Sequence, residues 1–173
     1  MKFAIAIPQF YADGEFDPAS FREYFARAEE LGFDSAWTQE STLGFGPQLS
    51  PIETMTYAAA CTERIRLGCV VFVSTLHSPV HLAKSLSTLD QLSRGRIEVG
   101  VGTGGRGRPF AAFGVNPARY VSRFTEGVNL MKALWDAGAH PNYTEYPGVA
   151  HNSWDKAYAT ADLYGWLLKH KLK

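Results

Sequence analysis

The feature that most constrains the fold is a repeat in which a short apolar run is followed by a capped helix. Four runs rich in Val, Ile, Phe and Trp are predicted to be strands: Phe3–Ile7, Ser35–Thr38, Ile65–Val73 and Ile97–Val101. Their apolarity is continuous, as in a parallel sheet that is covered on both faces. Strands that alternate with helices form parallel βαβ units, so the order predicts an α/β fold.

Each predicted helix begins at a capping residue that is followed by proline. The pairs are Asp17-Pro18, Ser50-Pro51, Ser78-Pro79 and Asn116-Pro117. The cap side chain can accept a hydrogen bond from a backbone N–H, and proline at the first helical position loses no bond that the helix needs. A Ser50–Glu53 capping box and a Phe16–Phe21 hydrophobic staple are further signals of a helix start.

Three of the predicted helices carry apolar side chains at helical spacing, which indicates core-facing stripes. The stripes are Phe21, Tyr24, Phe25, Ala28 and Leu31, then Leu82, Leu86, Leu89 and Leu92, and then Phe124, Val128, Met131 and Trp135. The helix with the first stripe ends at Gly32 and the helix with the second stripe ends at Gly95, because glycine readily adopts the left-handed conformation that terminates a helix. Four such units predict half of an eight-stranded (βα)₈ barrel of the TIM type, flanked by helices.

Charge and composition exclude several classes of partner. The 173 residues include 17 basic and 17 acidic side chains, a balance that attracts neither nucleic acid nor an anionic membrane. No apolar run is long enough to span a bilayer, and Phe3–Ile7 is too short for the core of a signal peptide. Cys61 and Cys69 lie in apolar segments, as reduced buried thiols do. The histidines share no metal-ligand spacing, so we expect a cytoplasmic protein without a metal site.

Several segments resemble the luciferase-like flavin monooxygenases in their order and spacing. They are Leu31–Trp37, Thr62–Gly68, Leu89–Arg96, Val99–Gly104 and Met131–Trp135. The resemblance covers about residues 1–135. It implies an oxidoreductase or monooxygenase that acts on a small organic substrate with flavin mononucleotide (FMN) or the related deazaflavin coenzyme. In such enzymes the flavin-type ring carries the redox chemistry, and the protein supplies a dry, oriented slot.

Ligands of parallel α/β folds bind at the carboxyl ends of the strands. The resemblance implies that the ends of the third and fourth strands face the coenzyme ring, and the matching positions are Ser74, Thr75, Gly102 and Thr103. In part of the family a non-proline cis peptide bond follows the third strand, and Val73–Ser74 lies near that position.

The glycine-rich run that follows the fourth strand has two interpretations. Backbone N–H groups around Gly104, together with Arg106 and Arg108, can cradle the coenzyme phosphate. Alternatively, the glycines permit a tight exit of the chain from the strand.

Glu40 and His77 are two further candidates at strand ends. The family often has an acidic residue and then a histidine after the second strand, and here Ser41 follows Glu40. Glu40 is either a structural hydrogen-bond acceptor or part of an acid–base group. His77, directly before the Ser78 cap, either forms hydrogen bonds within its loop or acts as a base.

The tail departs from this family. Tyr146–Asp155 resembles the last strand and loop of an α/β-hydrolase, whose triad base would stand at His151, and Thr160–Lys171 resembles the closing helix. We therefore predict two segments, residues 1–135 and 136–173, with Asn142–Tyr146 as a fifth parallel strand. The alternatives to a flavin oxidoreductase are an esterase that uses His151 and an inactive chimeric scaffold. No Gly-x-Ser-x-Gly nucleophile motif accompanies His151.

A half-barrel has two consequences for binding partners. The resemblance implies that later strands hold most of the flavin phosphate, so we expect the coenzyme to bind weakly or to be lost. An open sheet exposes backbone groups at its edges, and a homodimer of two half-barrels is the expected remedy.

Overall fold

Four parallel strands form one sheet in the part of the chain that the computed structural model describes, residues 2–11, 15–44, 46–105 and 107–137. They are β1 (Ala4–Ala6), β2 (Ser35–Thr38), β3 (Arg66–Val73) and β4 (Ile97–Gly102), and they lie side by side in chain order. The predicted parallel α/β fold is therefore confirmed. The predicted fifth strand, Asn142–Tyr146, lies outside the described residues, and the homodimer that would cover the sheet edges stays a prediction.

Helices connect and flank the strands. They are α1 (Pro18–Glu30), α2 (Pro51–Ala60), α3 (Pro79–Leu92), α4 (Arg108–Ala112) and α5 (Tyr120–Asp136), with a 3₁₀ turn at Ser74–Leu76. None of the described helices is both long enough and apolar enough to cross a membrane.

The caps of these helices agree with the sequence only in part. The Asp17 carboxylate accepts hydrogen bonds from the backbone N–H groups of Ala19 and Ser20 at 2.9 and 3.2 Å. Ser50 and Ser78 stand at the starts of α2 and α3 but make no side-chain capping bond. The Ser50 hydroxyl instead donates to the Glu53 carboxylate, so the predicted capping box is wrong. At these two helices the proline alone marks the start.

The segment between β4 and α5 differs from the prediction. Asn116 does not cap a helix: its Oδ1 accepts from the Ala118 N–H at 2.9 Å in a turn, and α5 begins at Tyr120. The short helix α4 precedes this turn and buries Phe110. Five residues are too few to show a helical period, so α4 could not be predicted from the sequence.

The core lies between the sheet and its helices. Large side chains that are shielded almost completely include Phe25, Met55, Ile65, Leu67, Phe72, Leu86, Leu89 and Met131. The predicted stripes are largely confirmed. The rings of Phe16 and Phe21, the predicted hydrophobic staple, pack with their centroids 5.4 Å apart. Leu31 and Leu92 are exposed, because each lies where its helix ends and the chain turns at Gly32 or Gly95.

Polar anchors at the amino ends of β3 and β4 fix where these strands begin. Glu29 Oε1 accepts from three consecutive backbone N–H groups, those of residues 63–65, at 2.6–3.1 Å. The Arg96 guanidinium donates to the carbonyl oxygens of Ala59, Thr62 and Ile65 at 2.8–3.0 Å. The segments that carry the family resemblance therefore position the strands whose opposite ends form the candidate site.

Candidate functional site

The carboxyl ends of β3 and β4 are joined by the side chains that follow β3. Ser74 Oγ donates to the Gly102 carbonyl oxygen at 3.4 Å, and Thr75 Oγ1 donates to the Thr103 carbonyl oxygen at 2.8 Å. Both side chains belong to buried residues. The structure thus brings together four predicted site residues, with two hydroxyl groups already engaged by the main chain.

The glycines of β4 and its exit make room for valine side chains of β3. A methyl group added at Gly102 would lie 2.6 Å from Val71 Cγ2, and one added at Gly104 would lie 2.4 Å from Val73 Cγ1. Gly104 also has a φ of +71°, which a residue with a Cβ adopts only at a cost. These contacts support the tight-exit interpretation. Arg106 lies outside the described residues, so the phosphate cradle stays a prediction.

An apolar pair is exposed at the irregular part of β3. Cys69 pairs with Val99 and Phe72 with Val101, so an extra residue of β3 is accommodated between these pairs as a bulge. Val70 and Val71 lie in that bulge and are 50% and 38% exposed. A non-proline cis peptide bond joins these two valines, within β3 and shortly before Val73–Ser74, the neighbourhood that the family resemblance indicated.

The surface around the β3 bulge combines apolar and polar groups at the strand ends. Exposed valines beside the half-buried polar residue Thr103 combine an apolar support with hydrogen-bonding groups at the strand end, which is the composition that a flat heteroaromatic ligand needs. Within the described ranges, no group of three or more His, Cys, Asp or Glu side chains is arranged to hold a metal ion.

Glu40 and His77 meet at the same end of the sheet. Glu40 Oε1 lies 2.7 Å from His77 Nε2, and Glu40 Oε2 accepts from the Val73 N–H at 2.5 Å. The Glu40 side chain is only 7% exposed, whereas that of His77 is 29% exposed. The sequence did not predict that these residues, 37 positions apart, form a pair. Their placement after neighbouring parallel strands was the available signal.

The Cys69 thiol, which interacts electrostatically with Glu40, is shielded from solvent. Burial raises the pKa of Cys69 to about 12, a hydrogen bond with Thr38 lowers it somewhat, and the Glu40 charge raises it further. Cys69 is fully buried, so the thiolate that nucleophilic chemistry requires does not form at neutral pH. This agrees with the interpretation of Cys69 as a small buried hydrophobic residue.

A profile of the family described as luciferase-like monooxygenase matches residues 1–158. The chain belongs to the luciferase-like monooxygenase family. The match extends beyond residue 135, where the resemblance was predicted to end, into residues outside the described ranges. The hydrolase-like interpretation of the tail and of His151 lies on those residues and stays a prediction.

Relatives support the same assignment. An F420-dependent glucose-6-phosphate dehydrogenase of Amycolatopsis mediterranei is 31% identical over 129 residues, 70% of this chain and 39% of that protein. The solved structure of the monooxygenase RslO1 from Streptomyces bottropensis is 29% identical, with a TM-score of 0.67 over 84% of this chain and 47% of that one.

A second solved structure shares the fold alone. It is the oxygenating constituent of 3,6-diketocamphane monooxygenase from Pseudomonas putida in complex with FMN, 19% identical, with a TM-score of 0.69 over 85% of this chain and 42% of that one. The chain spans less than half the length of each of these three proteins.

Proposed function

We propose that the chain binds the ring of a flavin-type coenzyme at the carboxyl ends of β3 and β4 and takes part there in oxidising or reducing a small organic substrate. The observation that carries this proposal is the exposed valine pair of the β3 bulge beside the joined strand ends. The relatives support it, since one is an F420-dependent dehydrogenase and another was solved in complex with FMN.

The residues of the proposed site would bind different parts of the coenzyme ring. Val70 and Val71 would support the ring, and main-chain groups at Gly102 and Thr103 would meet its polar edge. Ser74 and Thr75 would act one step removed, because their bonds to the β4 end hold these groups in place. When bound, the coenzyme ring supplies the redox chemistry. The valines exclude water from one of its faces.

The candidate residues include few groups that could bind the phosphate of the coenzyme. Gly104 and Arg106 are our candidates for holding it, by backbone N–H groups and one guanidinium. Each charge-assisted hydrogen bond to phosphate contributes about 1.5–3 kcal/mol, so every missing bond weakens affinity by one to two decades. We therefore expect weak binding, in the micromolar range or above.

Fluorescence titration tests the proposal, with FMN and with a deazaflavin coenzyme as separate ligands. Val71→Glu should weaken binding at least tenfold, because it places a charge against the ring. Val80→Glu is the matched control, since Val80 is an exposed valine on α3. Failure of both coenzymes to bind, or equal weakening by both variants, contradicts the proposal. Release of phenol from an aryl ester in a His151-dependent manner would favour the hydrolase alternative.

A further inference from the structure

A groove lies at the outer edge of the described sheet, between β1 and α1. Within the described residues β1 pairs with β2 alone, so its other side has no strand beside it. The groove has a volume of about 400 Å³. Its apolar lining comprises Ile5, Tyr24, Ala28, Leu31 and Phe33, and its polar rim comprises Ser20, Glu23 and Arg27. An apolar centre with a polar rim is the composition of a protein–protein interface.

Apolar side chains at this edge are open to solvent. Leu31, directly after α1, is 59% exposed, and Phe3, directly before β1, is 56% exposed. Ala4 and Ala6 of β1 are exposed as well, and neither they nor Ile5 carries a charge that would repel another strand. Exposed apolar surface and an uncharged strand edge both favour association with another chain.

The main chain of β1 also has hydrogen-bonding groups on its outer side. The Phe3 carbonyl oxygen and the Ile7 N–H form hydrogen bonds on the β2 side of the strand. In a parallel pair the intervening residues direct their groups the opposite way, so those of Ala4 and Ala6 point outward. The Tyr24 hydroxyl donates to the Ala6 carbonyl oxygen at 2.6 Å. The two N–H groups and the Ala4 carbonyl oxygen are therefore available to a partner.

The charges on the rim complement each other across a twofold axis. Glu23 and Arg27 lie one helical turn apart on α1, and both line the groove. When two α1 helices pack antiparallel with the axis near Phe25, Glu23 of one copy lies opposite Arg27 of the other, and symmetry repeats the contact. Among the described residues Glu23 has no ion-pair or hydrogen-bond partner. The Arg27 guanidinium contacts Glu30 with one nitrogen, at 2.9 Å, and its remaining N–H groups can bind a second carboxylate.

We propose that this groove is the contact surface of a homodimer, in which a second copy of the chain occupies it. The two α1 helices lie antiparallel, and the two β1 edges lie side by side. Leu31 of each copy then reaches the Ser20 end of α1 in the partner copy, because opposite ends of antiparallel helices face each other. The dimer does not depend on the coenzyme, whose proposed site lies on β3 and β4.

The size of the surface indicates a reversible dimer. α1 has 13 residues, so it is about 20 Å long. A strip of that length and about 20–25 Å wide, which covers the helix and the strand edge beside it, buries on the order of 400–500 Å² per copy. Stable complexes bury about 800 Å² per partner. We therefore expect monomer and dimer to exchange at micromolar concentrations, where the effects of single substitutions are measurable.

Sedimentation velocity of the whole chain, from about 1 to 500 µM, measures this equilibrium. The average mass should rise with concentration toward that of a dimer. Leu31→Asp should weaken the dimer at least about tenfold, because it places a carboxylate in an apolar contact. Leu92→Asp is the matched control, since Leu92 is likewise exposed, at 63%, and lies at the end of α3. This control should leave the equilibrium unchanged.

Charge reversal tests the twofold arrangement. Glu23→Arg brings two cations together at each contact, and Arg27→Glu brings two anions together. Each variant alone should weaken the dimer by about threefold to tenfold at low salt. An equimolar mixture of the two should associate again, because every contact then joins one cation with one anion. The combined Glu23→Arg/Arg27→Glu variant, whose net charge equals that of the wild type, should dimerise like the wild type.

Three outcomes would overturn the proposal. The first is a wild type that stays monomeric at the highest concentration; if Leu31→Asp then lowers its thermal stability, the chain itself covers the groove. The second is a dimer that Leu31→Asp leaves intact, which places the contact on another surface. The third is a mixture of Glu23→Arg and Arg27→Glu that associates no better than either variant alone, which excludes the antiparallel twofold contact.

Discussion

Replacement of Gly102 by alanine tests the packing that shapes the candidate site. The added Cβ would lie 2.6 Å from Val71 Cγ2, closer than carbon atoms approach in folded proteins, so one of the two strands must shift. Overpacking of this kind costs about 1–3 kcal/mol. Val71 is partly exposed and can turn away to some degree, which places the expected loss at about 1–2 kcal/mol.

A second substitution isolates that contact. Val71→Ala removes Cγ2 and leaves Val71 Cβ at 3.5 Å from the new methyl group, an ordinary contact. Val71→Ala alone should cost about 1 kcal/mol, since it deletes two partly buried carbons at about 0.8 kcal/mol each. In that background Gly102→Ala should be neutral or slightly stabilising, because alanine restricts the unfolded chain. The coupling energy of the double-mutant cycle should then reach about 1 kcal/mol or more.

Denaturant and thermal unfolding provide the assay, with about 2–4 °C of midpoint shift for each kcal/mol in a chain of this size. Gly105→Ala is the control, because nothing lies within 4 Å of the position its Cβ would take. It should be neutral or gain up to about 1 kcal/mol. If Gly102→Ala costs the same with and without the valine side chain, Val71 does not pack against Gly102 and the described strand exit is wrong.

Three further predictions concern the scaffold. At neutral pH a thiol reagent should modify Cys61 at least about 100-fold faster than the fully buried Cys69, whose pKa burial raises to about 12; equal rates would contradict this. Arg94→Gly should raise the free energy of unfolding by up to about 1 kcal/mol, because Arg94 has a φ of +60°, which glycine adopts without strain. A lower free energy of unfolding in denaturant titrations would contradict this. Glu29→Gln should lower the free energy of unfolding by about 1 kcal/mol or more at neutral pH. Burial opposes ionisation of Glu29, but backbone N–H donors outweigh it and lower its pKa. The deficit is therefore full above the ordinary value of 4.5 and should shrink as pH falls through the lower folded pKa; a deficit that grows in acid would refute the donor role.

Local signals in the sequence determined most of the scaffold. Apolar runs located the four strands to within one or two residues, and proline after a capping residue located three of the helix starts, because both depend on neighbouring residues alone. The prediction of a helix start at Asn116-Pro117 was wrong, since the same pair also suits a turn, and the packing around the pair decides between the two. The five-residue helix α4 was missed for want of a period.

The candidate site was predictable in place but not in detail. Parallel topology sets Ser74, Thr75, Gly102 and Thr103 at one edge of the sheet, so the sequence could group them. The bulge that exposes Val70 and Val71 depends on strand register, which no local pattern encodes. The Glu40–His77 contact likewise arises only when two neighbouring strands align, so it escaped a residue-by-residue interpretation.

The most direct test of the central claim is to locate the bound ring with valine methyl groups. In ¹H–¹³C spectra of valine-labelled protein titrated with FMN, the methyl signals of Val70 and Val71 should shift, because an aromatic ring held over them alters their magnetic environment. The methyl signals of Val80 and Val121, exposed valines on α3 and α5, should stay in place. Shifts confined to the control valines, or saturating binding that leaves Val71 unchanged, would contradict a coenzyme site at the ends of β3 and β4.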